Sequence, residues 1–159
     1  MMIVQLILFC MIFTLMVGYA VRGGAINAIY FYPKPVQERA IEIGLTDTET
    51  VKQKKIKFMT LFYVVMAVTL ILFIGLWNHV SNFNTAYLQA LLFLQVMNWY
   101  DGIVIDKVWV GYSKFWIIKG TEDIPYIQTW KQVIKKRLFL SLIWFVGAAV
   151  VAGIIILIF

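Results

Sequence analysis

The sequence predicts an all-α integral membrane protein: a four transmembrane helix bundle with both termini outside and both long loops cytoplasmic. Three observations predict it. Of the 159 residues, 62% are hydrophobic and the mean hydropathy is +0.85, far above the composition of a soluble domain. The apolar residues fall into four blocks, each close to the roughly 20 residues a helix needs to cross a bilayer. The basic residues lie between those blocks in two groups, and none lies at either end of the chain. A single polytopic domain over residues 1–159 follows, with helices at about 3–21, 58–77, 85–110 and 138–159 and loops at 22–57 and 111–137.

The first block, Ile3 to Val21, is broken only by Gln5, Thr14 and Gly18. A cleaved signal peptide would need basic residues ahead of a shorter apolar core. None precedes this block, so it reads as a transmembrane helix. In the loop that follows, Pro35 suits the first position of a helix and Gly44 its stop, which predicts a short surface helix from Pro35 to Ile43. Thr46 to Glu49 has the spacing of a capping box, with Thr46 as the cap. Lys52, Lys54, Lys55 and Lys57 continue without a breaker, so one helix is expected from Asp47 in water to Trp77 across the membrane.

The third block runs from Thr85 to Val110. After it, Ser113 to Gly120 (SKFWIIKG) is apolar but too short to span, and its β-branched pair suggests an extended strand at the membrane surface. Gly120 to Pro125 reads as a turn and helix start, leading into a basic amphipathic stretch that ends Lys135-Lys136-Arg137. The fourth block runs from Leu138 to Phe159 and carries Ala148-x-x-x-Ala152 and Ala149-x-x-x-Gly153, spacings that let helices approach closely within the bundle.

Charge sets the orientation. Seven basic residues (Arg22, Lys34, Arg39, Lys52, Lys54, Lys55, Lys57) separate blocks one and two, and seven (Lys107, Lys114, Lys119, Lys131, Lys135, Lys136, Arg137) lie between Asp106 and the fourth block. Positive charge stays on the cytoplasmic side, which puts both loops inside. The net charge of +6 is therefore a membrane signature and not a nucleic-acid one, since no basic face with interleaved aromatics is present.

The candidate site lies on the third helix, in Asn98 to Trp109 (NWYDGIVIDKVW). At about 100° per residue, Leu88, Leu91, Gln95, Asn98, Gly102, Asp106 and Trp109 share one stripe. Asp101 sits on an adjoining face. Polar groups are costly against lipid, so this stripe should face the bundle interior or a water-filled cavity. Thr14, Tyr19, Thr60, Tyr63, Ser141 and Trp144 lie at similar depth, and Trp99, Tyr100 and Trp109 can wall the cavity. Arg22 is a candidate anion clamp if the first helix reaches it; its plainer role is an anchor that snorkels to water. The aspartates likewise read either as an ion pair at the membrane boundary or as a ligand site. Residues five apart diverge by about 140° on a straight helix, so Asp101 and Asp106 would not meet unaided.

Other chemistry is absent. The only cysteine, Cys10, sits in the first block and the only histidine, His79, in the short outer turn. No zinc, phosphate-loop, dinucleotide or nucleophile-elbow motif occurs. No cofactor and no metal is called for. A Ser/His/Asp triad would need His79 on the side away from both aspartates.

Tyr32 to Phe58 together with Asp101 to Trp109 resembles uncharacterised small four-helix membrane proteins of bacteria. The resemblance implies a bacterial plasma-membrane location and brings no activity with it. Three functions stay open: a transport or lipid-handling component that binds a ligand or headgroup through Asn98, Asp101, Asp106, Gln95 and Arg22; a membrane-embedded enzyme acting on a lipid or isoprenoid; or a structural or regulatory subunit. The expected partners are membrane lipid, a small-molecule ligand, and either further copies of the chain or a larger membrane protein. Nucleic acid is not among them.

Overall fold

A computed structural model describes all 159 residues, and its regular structure is all helical, with no strand. Five helices organise it: α1 (Met2–Ala20), α2 (Lys34–Glu42), α3 (Thr48–Trp77), α4 (Phe83–Tyr112) and α5 (Trp130–Ile158). All but α2 are long and apolar enough to cross a membrane, which makes the chain a multi-pass membrane protein. Large side chains such as Leu15, Val68, Leu88, Val146 and Leu157 point outward, as lipid-facing residues must.

Local chemistry sets the helix ends, and in several places it differs from the sequence expectation. Helix α1 stops at Ala20 because Gly23 and Gly24 take φ of +86° and +125°, a turn open to glycine. Arg22 therefore lies outside the helix. Helix α3 is capped by Asp47 and not by Thr46: Asp47 Oδ1 accepts from Thr50 N at 2.8 Å, and Thr46 Oγ1 has no partner. The segment after α4 is not a strand. Lys114–Trp116 forms a single 3₁₀ turn started by the Ser113 side chain, and no second strand lies nearby to pair with Ile117 and Ile118.

The largest departure concerns α5. It begins at Trp130 and not near Leu138, under a full capping box: Gln132 N donates to Thr129 Oγ1, and Thr129 N donates back to Gln132 Oε1 at 2.8 Å. The basic stretch is thus the first two turns of the fourth span.

Helices α4 and α5 pack antiparallel and make the most extensive contact in the molecule. Ala86, Ala90, Ala148 and Ala152 are all fully buried. Without a hydrophobic force between helices in lipid, such close approach supplies the packing energy. Aromatic contacts hold α1 to this pair, with Phe9 against Phe93 edge to face at 5.3 Å between centroids.

The two ends of the bundle are fastened differently. At the end carrying the termini, Gln5 of α1, Asn78 after α3 and Gln89 of α4 form an amide cluster. Gln5 Nε2 donates to Asn78 Oδ1 at 2.8 Å, and Asn78 Nδ2 donates to Gln89 Oε1 at 2.8 Å. At the other end the two long connections dock on each other: Tyr32 OH donates to the Trp116 carbonyl at 2.6 Å, Trp116 packs edge to face on Trp109, and Arg39 approaches Asp123 at 3.9 Å.

Candidate functional site

Helix α4 is not a uniform α-helix. From Asp101 to Trp109 it winds as a π-helix, whose i→i+5 hydrogen bonds stack residues five apart above one another. This removes the divergence expected on a straight helix. Asp101 and Asp106 come onto one face and share one partner, Arg137 of α5. Arg137 Nη1 donates to Asp101 Oδ2 at 2.5 Å and Nη2 donates to Asp106 Oδ2 at 2.6 Å.

Arg137 is the residue that sequence reasoning missed. It is buried, with 1% of its side chain exposed, against 25% for Asp101 and 19% for Asp106. A guanidinium in so apolar a setting needs carboxylates in bonding geometry, because an unpaired buried charge is costly. The flanking packing is equally specific. Gly102 faces the Arg137 side chain, and a Cβ there would lie 2.8 Å from Nε and 2.9 Å from Cγ. Asn98 Nδ2 donates to the Arg137 carbonyl at 2.9 Å and to Ser141 Oγ at 3.0 Å, and Arg137 Nη1 reaches Asn98 Oδ1 at 3.4 Å. Gln95 Nε2 donates to the Ser141 carbonyl at 3.0 Å. Lys136 Nζ stands 3.5 Å from Asp106 Oδ2, so two cations balance two anions.

This cluster forms one side of a cavity of about 250 Å³, at the end of the bundle that carries the long connections. Of its 21 lining residues, 15 are hydrophobic, so the rest of the wall is oily. Phe13, Phe58, Phe62 and Trp144 come from the spans, and Tyr32 and Trp116 from the docked connections. Burial pushes the Tyr32 phenol up, with Tyr126 beside it adding to the effect, and burial also raises Tyr126. Both are therefore neutral hydroxyls near pH 7. Neither Asp101 Oδ1 nor Asp106 Oδ1 has a hydrogen-bond partner in the chain, whereas the indole Nε1 of Trp116 and of Trp144 is buried without an acceptor.

Of the expected site residues, Asn98, Asp101 and Asp106 meet in this cavity. Trp99, Tyr100 and Trp109 do not line it. Tyr100 sits behind the wall, with its hydroxyl 2.8 Å from Thr14 Oγ1, and Trp109 packs edge to face on Trp116. Gln95 acts through Ser141. Arg22 is nowhere near the aspartates; it lines a separate surface concavity beside Lys54 and Lys57. No group of three or more of His, Cys, Asp and Glu converges anywhere in the chain. The signal that points to Arg137 is Thr129-x-x-Gln132: a helix started there carries Arg137 one turn ahead of Ser141 and onto the face that meets Asn98.

No protein family, curated protein or solved structure matches the chain.

Proposed function

We propose that the chain is a multi-pass protein of the plasma membrane, both termini outside and both long loops cytoplasmic, that binds an amphiphilic small molecule or lipid by its head in this cavity. It would serve as a transport or lipid-handling component, with further copies of itself or a larger membrane protein as partner. One observation carries the reading: an aromatic wall runs directly onto two carboxylates that each keep one oxygen free of protein partners. Mostly apolar pockets with a few convergent polar groups are the usual form of small-molecule sites. The head that suits this one is a hydrogen-bond donor, an ammonium or a hydroxyl-rich group. An anionic head fits poorly, because the carboxylates stand in front of the buried guanidinium. The sidedness rests on the two groups of seven basic residues.

The test is the native mass of the protein released from its membrane in mild detergent. A bound mass present in the wild type and missing from a folded Asp106→Asn variant is expected. The same bound mass in both proteins, or none in either, overturns the reading.

A further inference from the structure

The concavity that holds Arg22 is built separately from the cavity above and has the opposite chemistry. It is open to the surface, with a volume of about 390 Å³, and is lined by nine residues, among them three cations and no anion. Arg22 comes from the turn after α1, and Lys54 and Lys57 from the start of α3, where that helix passes from polar to apolar sequence. None of the three makes an ion pair, although Arg39, Lys136 and Arg137 all do. The only polar contact among their side chains is Lys54 Nζ donating to Asn27 Oδ1 at 2.9 Å, and Asn27 in turn donates to the Arg22 carbonyl at 2.9 Å.

Asn27 thus ties the turn to α3 and holds two of the cations on one rim. Tyr19 and Tyr30 complete the lining with hydroxyls that have no partner in the chain, and Phe58 and Leu61 give it an apolar floor. Burial raises the Tyr30 phenol, so it remains a donor at neutral pH. The concavity therefore offers donors and positive charge without an acceptor carboxylate, at the boundary between the spans and the connections.

We propose that this concavity binds a phosphate group, with Arg22 as the bidentate clamp and Lys54 and Lys57 as point charges. Guanidinium matches the paired oxygens of a phosphate, and ammonium groups neutralise the remaining charge. The apolar floor at Phe58 and Leu61 adjoins the lipid-facing surface, so the phosphate can belong to a phospholipid head or to a free anion. Phe58 lines both this concavity and the cavity that holds the aspartates. The two sites nevertheless share no charged residue, so either can fail without the other.

The experiment uses the delipidated full chain in mild detergent, titrated with phosphatidic acid and, separately, with phosphatidylcholine, and read by native mass. Preferential retention of phosphatidic acid is expected. Neutralising Arg22, Lys54 and Lys57 to Gln should weaken it by about fivefold per charge removed. The variant Lys114→Gln/Lys119→Gln/Lys131→Gln, which removes three exposed charges elsewhere, should retain it, and so should Asp106→Asn. Retained binding in Lys54→Arg/Lys57→Arg shows that charge and not the lysine stem is read. Displacement by inorganic phosphate alone identifies a soluble anion as the source; retention against it identifies the lipid head. Equal retention of the two lipids, or equal losses from the two triple variants, overturns the proposal.

Discussion

Gly102 and Arg137 stand against each other with no room for a side chain between them: a Cβ on Gly102 would lie 2.8 Å from Arg137 Nε. The absence of a side chain on one helix is what lets the guanidinium of the other reach both aspartates.

Gly102→Ala tests this directly. Alanine favours a helix over glycine by about 1 kcal/mol, so the substitution should stabilise α4 if nothing opposed it. Here the methyl group meets the Arg137 stem, and overpacking of this kind costs about 1–3 kcal/mol. A lower thermal midpoint in detergent is expected, together with loss of any mass bound in the cavity. A raised midpoint would show that Arg137 moves aside freely.

Arg137→Met removes the shared counter-charge and leaves two carboxylates facing each other. Breaking a buried pair costs about 3–5 kcal/mol; the low end applies here, because the carboxylates keep some contact with solvent. The triple variant Asp101→Asn/Asp106→Asn/Arg137→Met should recover most of the loss. Thermal unfolding of the two variants decides: equal destabilisation would mean that the arginine acts through packing and not through charge.

At the other end, Asn78→Leu strands the buried Gln5 amide. Hydrogen bonds between membrane helices are worth less than burial alone suggests, so the expected cost is about 1 kcal/mol. Occupancy of the cavity should not change. A variant that unfolds outright would make this amide cluster the main fastening of α1.

Asp47 supplies a pH dependence outside the spans. Its hydrogen bonds from the Thr50 hydroxyl and amide hold its carboxyl below the ordinary value of 3.8. The stabilisation is therefore complete above that value and is lost as pH falls through the depressed folded value. Protection of the Thr50 amide, measured against its intrinsic exchange rate at each pH, should fall in acid. Asp47→Asn, which caps without ionising, should remove the dependence and keep the turn protected at neutral pH.

The four spans are legible in the sequence because an apolar block of membrane length has few other uses, although the start of the fourth helix lies eight residues ahead of its apolar block. Asn98, Asp101 and Asp106 are legible because polar groups in such a block must face inward. Three things are hidden. The π-winding of Asp101–Trp109 changes the angular period on which any helical projection rests, and nothing in the residue types announces it. Arg137 is masked by Lys135 and Lys136, which resemble an anchor at the end of a span, when the helix in fact begins seven residues earlier at Trp130. The amide cluster escapes for a third reason. Gln5, Asn78 and Gln89 lie on three separate elements and meet only once the chain is folded.

The pairing of α4 with α5 also bears on how the protein is made. Helix α4 is the least apolar of the four spans, and it carries both aspartates, while α5 is the most apolar and carries their counter-charge. A ribosome delivers α4 first. Until α5 emerges, the two carboxylates have no guanidinium, and the cost of an unpaired Asp in the bilayer opposes stable insertion. The pairing therefore favours entry of the third and fourth spans together, as a hairpin, over stepwise insertion of the third.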